Sequence, residues 1–148
     1  MMDFLYLFLA LGAGLLMPVQ AGVNAQLSEH VGGSLTAALI SFVIGTTALL
    51  ATSFLLRLPM PGIAAAASIP LWKWCGGFLG ALFVTATIFL APKLGAVTLL
   101  ALLVSGQMVA SLILDHFGWL GYPIHSVSMP RVMGVLFLLA GVILIQKF

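Results

Sequence analysis

Charge is scarce in this chain. Five lysines and arginines and three acidic residues are all that 148 residues hold, so 5% of the sequence is charged while 63% is hydrophobic. A water-soluble domain needs a polar exterior that this composition does not supply, which excludes an ordinary soluble globular protein. A single cysteine, Cys75, excludes an internal disulfide and a cysteine-based zinc set. With Gly76 and Gly77 beside it, Cys75 reads as a small packing residue. The pI of about 9.0 rests on a formal net charge of +2 without a basic cluster, so no nucleic-acid partner is expected. No phosphate loop or nucleophile elbow is present. Asp115 and His116 are adjacent and point apart on a helix, and His125 lies outside zinc-type spacing from His116. The reading is of no enzyme, no cofactor and no metal site.

What fills the chain instead is a series of long apolar runs. They predict an all-α integral membrane protein, one membrane domain over residues 1–148, with spans at Phe4–Leu27, Ser34–Leu56, Leu71–Ala91, Leu94–Leu114 and Val132–Gln146. Helix is the only choice, because five spans do not close a barrel and unpaired backbone groups in lipid cost several kcal/mol each. The first run could be mistaken for a secretory signal, since Val19-Gln20-Ala21 resembles a cleavage site. It lacks a basic start and exceeds a signal core in length, so it is expected to be a retained span.

An odd span number puts the termini on opposite sides. The side of the N-terminus holds Arg57, Lys73 and Arg131, and the other holds Lys93 and Lys147. Orientation follows the lysine and arginine bias, and here that bias is nearly absent. Two readings follow: insertion in both orientations, or one weakly preferred orientation with the N-terminal side cytoplasmic.

Small residues recur on every span. Gly14 in span one, Gly45 in span two, Gly76, Gly77 and Gly80 in span three, and Gly134 and Gly141 in span five are candidates for close helix packing. Pro18 removes one backbone hydrogen bond and is a candidate bending point. Trp72 and Trp74 open span three, where an aromatic belt belongs. Pro92-Lys93 alone is expected to join spans three and four, with Gly95 just inside the fourth helix, and four alanines between prolines suggest a short surface helix.

No charged residue falls near a span centre, where it would cost about 2.5–3.5 kcal/mol. The deep polar groups are amides: Gln20 and Asn24, on one face of span one, and Gln107, which begins a stripe continued by Ser111 and Asp115. They either bond helix to helix or line a cavity and bind solute. Asp115 is the one candidate coupling acid. Gln20 lies slightly past the middle of span one and Gln107 slightly past the middle of span four, on opposite halves of the membrane. Inverting a second copy brings the two to one depth, around a shared cavity.

Pro18-x-Gln20 with Asn24, Ser41-Phe42 with Gly45, and Trp72-x-Trp74-x-Gly76-Gly77-x-x-Gly80 form a pattern. It continues through Pro92 with Gly95, Gly106-Gln107, Asp115-x-Phe117-Gly118, and Arg131 with Gly134 and Gly141. The chain thereby resembles, over nearly its full length, the YdcZ-like family of half-length transporters in the drug/metabolite transporter superfamily. The resemblance implies a bacterial inner-membrane protein equal to half of a ten-helix inverted-repeat transporter, completed by an antiparallel partner. That partner is a second copy of the chain or a paralogous one. Small multidrug-resistance proteins of the same superfamily use a glutamate in their first helix; here only Asp3, at the extreme end of span one, is acidic, which disfavours the same proton exchange. The function expected is alternating-access transport of a small solute by an antiparallel homodimer in contact with membrane lipid. A non-transporting subunit that stabilises or regulates a partner, or a passive channel, are the alternatives.

Overall fold

The computed structural model describes residues 2–147, with side chains described for 4–147. Asp3 therefore enters only through its backbone. The described residues form helices and connections without strands. Five helices are long and apolar enough to cross a membrane: Phe4–His30, Ser34–Leu55, Leu71–Leu94, Ala96–Phe117 and Met129–Lys147. Their number is that of the expected spans. The fold is all-α and multi-pass. Two compact units divide the chain, one ending at Pro92 and one beginning at Lys93.

In the first unit α1 (Met2–His30) and α2 (Ser34–Leu55) are joined by three residues. Gly32 and Gly33 take φ of 84° and 121°, a conformation that side chains resist, and this reverses the chain within one turn. Gly33 N–H donates to the Ser28 carbonyl at 2.9 Å, closing the end of α1. The helices are thereby antiparallel neighbours. Ala21 and Asn24 on α1 and Ala37 and Ala38 on α2 are buried, so small side chains permit close approach. The four alanines form α3 (Ile63–Ala67), a single exposed turn of helix. A 3₁₀ turn, Leu71–Trp74, leads into α4 (Cys75–Leu94), and Lys73 Nζ lies 5.7 Å from the Trp72 ring centroid. Ile88 on α4 is fully buried against Ala37 and Ala38, with Leu27, Val31 and Val84 around it.

The expected two-residue link after span three is replaced by helix. Pro92 and Lys93 belong to the last turn of α4, which ends at Leu94. One missing hydrogen bond in a terminal turn is tolerated, so Pro92 does not stop the helix where the sequence suggests. Gly95, at φ 75°, precedes the fourth membrane helix as its N-cap instead of lying inside it.

The second unit pairs α5 (Ala96–Phe117) with α6 (Met129–Lys147). Both run about three residues further toward their shared connection than hydropathy suggests, because polar contacts at Asp115 and Arg131 extend them. Gly118 ends α5 in the left-handed region, φ 62°, its N–H donating to Leu114 carbonyl. A Cβ at Gly118 would stand 2.6 Å from Ile124 Cγ1, so both conformation and space demand glycine there. Pro130 falls in the first turn of α6, where its missing N–H has no intrahelical partner to lose.

Candidate functional site

Asn24 is buried and its Nδ2 donates to Ser41 Oγ at 3.2 Å, tying α1 to α2. One turn away on α1, Gln20 is exposed and lines a recess of about 210 Å³. Ser41, Phe42, Gly45, Thr46 and Leu49 from α2 and Val84 from α4 complete its walls. The antiparallel register explains the arrangement. With Asn24 level with Ser41, Gln20 stands level with Gly45, where a side chain is missing and a Cβ would meet nothing within 4 Å. The open space beside Gly45 leaves the Gln20 amide room.

The hydroxyls of this recess differ from others on the same helix. Thr47 and Thr52 donate to the carbonyls of Val43 and Ala48 at 2.8 and 2.9 Å, the usual fate of a helical hydroxyl in an apolar setting. Among the described contacts Ser41 instead accepts from Asn24, and Thr46 makes no such back-bond. Ser41 can accept from Asn24 and still donate its own proton outward. The recess thus offers one amide and two hydroxyls on an apolar wall, without a charge.

Asn24 and Gln20 share a face but stand differently: the Nδ2 of the first bonds α2 and the second faces open space. Ser41 enters the site through that bond, and Thr46 is a lining residue that sequence reasoning missed. The signal for both is the hairpin register, visible once Asn24 is paired with Ser41.

Gln107 is exposed and lies at the midpoint of α5; it lines neither this recess nor the one between α5 and α6. Its stripe partners Ser111 and Asp115 do line the second cavity, of about 280 Å³. Asp115 Oδ2 accepts from Arg131 Nη2 at 2.8 Å, and Arg131 Nη1 donates to the His125 carbonyl at 2.9 Å. His125 N–H donates to the Asp115 carbonyl at 2.9 Å, and Val127 N–H to His116 Nδ1 at 3.2 Å. Asp115 and both histidines near it therefore clasp the α5–α6 connection. α1 continues as helix through Pro18. Of the glycines on the small-residue faces, Gly80 lies against a neighbouring helix, a Cβ there falling 3.6 Å from Phe42 Cζ. Beside Gly14, Gly45, Gly76, Gly77, Gly134 and Gly141 a Cβ would meet nothing within 4 Å. Among the described residues no three His, Cys, Asp or Glu side chains converge on a metal position.

Five helices long and apolar enough to cross a membrane define a multi-pass α-helical membrane protein. The chain belongs to the family described as "Putative inner membrane exporter, YdcZ", whose model matches residues 5–144. It is 28% identical over 138 residues to Inner membrane protein YdcZ of Escherichia coli (strain K12), covering 93% of this chain and 91% of that relative. No solved structure matches. The chain is accordingly a multi-pass protein of the inner membrane, and its family supports a membrane transporter.

Proposed function

We propose that this chain is one half of an alternating-access exporter for a small neutral or zwitterionic polar solute, completed by an inverted second copy. The recess beside Gln20 carries the reading: an amide and two hydroxyls recognise hydrogen-bonding groups without attracting bare cations. Its size supports a half-site. Binding sites for drug-sized molecules span about 300–1,000 Å³; one recess of about 210 Å³ falls short, and two facing each other fall within that range.

Helix midpoints are compatible with the inverted pairing without selecting it: Gln107 sits at the middle of α5 and Gln20 three residues past the middle of the α1 span, within about 5 Å in depth in either orientation. The near-balance of lysine and arginine across the membrane permits both orientations. Pro18 would absorb bending, and Gly14, Gly45, Gly76, Gly77 and Gly141, with open space beside them, would receive the partner's helices. A paralogous chain could occupy the partner's place. Asp115, ion-paired at a helix end, is the acid available for coupling.

Reconstituted protein tests the proposal. Saturable solute flux, weakened together by Gln20→Ala and Gln107→Ala, is expected, with disulfide formation between Gln20→Cys of one copy and Gln107→Cys of an inverted one. Full flux in both alanine variants, or particles whose protomers all face one way, would overturn it.

A further inference from the structure

The cavity between α5 and α6 has a charged end and an apolar body. Asp115 and Arg131 stand at one end, half-buried and 2.8 Å apart. From them the walls continue to Met108 on α5 and Leu138 on α6, past Leu112 and Gly134. Each wall is seven residues long, or about 10 Å of helix. Both run inward from the helix ends nearest the α5–α6 connection, where exposed Trp119 and Tyr122 mark the level of the membrane interface.

The ion pair keeps bonding capacity. A guanidinium has five N–H donors, and the described bonds of Arg131 use two, to Asp115 and to the His125 carbonyl. A carboxylate has about four acceptor positions, and Asp115 Oδ2 takes one donor from Arg131. A cation and an anion side by side are complementary to a group that carries an anion and a cation a short linker apart. An apolar wall continuing from that point has no use to a free zwitterion, but it suits a hydrocarbon tail attached to one. We propose that this cleft binds a phospholipid with a zwitterionic aminoalkyl-phosphate head, its phosphate on Arg131, its ammonium on Asp115, and one acyl chain along Leu112, Gly134 and Leu138. The site shares no lining residue with the Gln20 recess, and its lipid-binding test does not depend on what that recess transports.

Native mass spectrometry of the full chain in detergent tests this, with phosphatidylethanolamine, phosphatidylglycerol and diacylglycerol of identical chains, and free phosphoethanolamine as competitor. Wild type is expected to hold phosphatidylethanolamine at least about tenfold more tightly than diacylglycerol, the worth of a charge-assisted hydrogen bond. Gly134→Leu projects a side chain into the cleft from a position where a Cβ meets nothing within 4 Å. It is expected to lose the lipid while keeping its helix content and melting temperature. Arg131→Gln should bind phosphatidylethanolamine and diacylglycerol alike; if it does not fold, Gly134→Leu and the wild-type lipid series decide. Equal retention of all three lipids, undiminished binding by Gly134→Leu, phosphatidylglycerol held as tightly as phosphatidylethanolamine, or displacement by equimolar free phosphoethanolamine would each overturn the proposal.

Discussion

The α1–α2 pair and the α5–α6 pair are both antiparallel hairpins with a bond between side chains of their two helices, yet these ties differ in charge and in place. Asn24 and Ser41 form a neutral bond about two turns into their helices. Asp115 and Arg131 form an ion pair within the last and first turns of theirs. The difference follows from the solvent. A charge at the centre of a span costs about 2.5–3.5 kcal/mol, whereas an amide paired with a hydroxyl is tolerated at depth. The same rule separates the cavities: the deeper tie borders an uncharged recess, the terminal one a cleft with charge at its mouth.

Stability measurements in detergent can break this comparison. The largest effect is expected from Ile88→Ala, because Ile88 is fully buried between α4 and the α1–α2 hairpin. Lipid tails are as apolar as the lost side chain, so only the cavity term remains, about 2 kcal/mol by chemical or thermal unfolding. Gly118→Ala is expected to cost about 1–2 kcal/mol through its left-handed backbone, loosening the second unit but not the first. Gly33→Ala strains the first unit differently: φ 121° with ψ 175° is open essentially to glycine alone, while a Cβ there meets nothing within 4 Å, so a cost of about 2 kcal/mol is expected from the backbone alone.

Next come the ties themselves. A double-mutant cycle of Asp115→Asn and Arg131→Gln is expected to give a coupling of about 1 kcal/mol that shrinks in high salt. The corresponding cycle of Asn24→Ala and Ser41→Ala should give about 0.6 kcal/mol and ignore salt. Equal salt sensitivity in both cycles would contradict the division into charged and neutral clasps. Gln20→Ala is expected to leave stability unchanged, since its side chain is exposed. It should weaken solute binding about tenfold, the value of one well-placed hydrogen bond. A loss of stability there instead would make Gln20 a structural residue like Asn24.

Much of the candidate site was visible as residue types. Gln20 and Asn24 stand out because amides are rare in apolar runs, and their spacing puts them on one face. Their separate fates were not visible, because a shared face does not say which of two amides meets a neighbouring helix. Ser41 and Thr46 could not be told from Thr47 and Thr52, since a serine or threonine in a helix satisfies itself on the preceding turn unless a partner diverts it. Gln107 lines neither cavity, although its stripe partners Ser111 and Asp115 line the second. Asp115 itself looked like a lone acid until Arg131, across a loop, came within 2.8 Å.

Hydropathy over 20-residue windows was sufficient to determine the number of spans, their helical state and the multi-pass class. A backbone in lipid has no partner but itself, and apolar length alone decides what stays there. Which amide became a clasp and which a wall, where α5 and α6 ended, and where open volume remained were settled only by helix against helix. Those outcomes depend on register and on contacts between distant residues, which no local pattern of polarity contains.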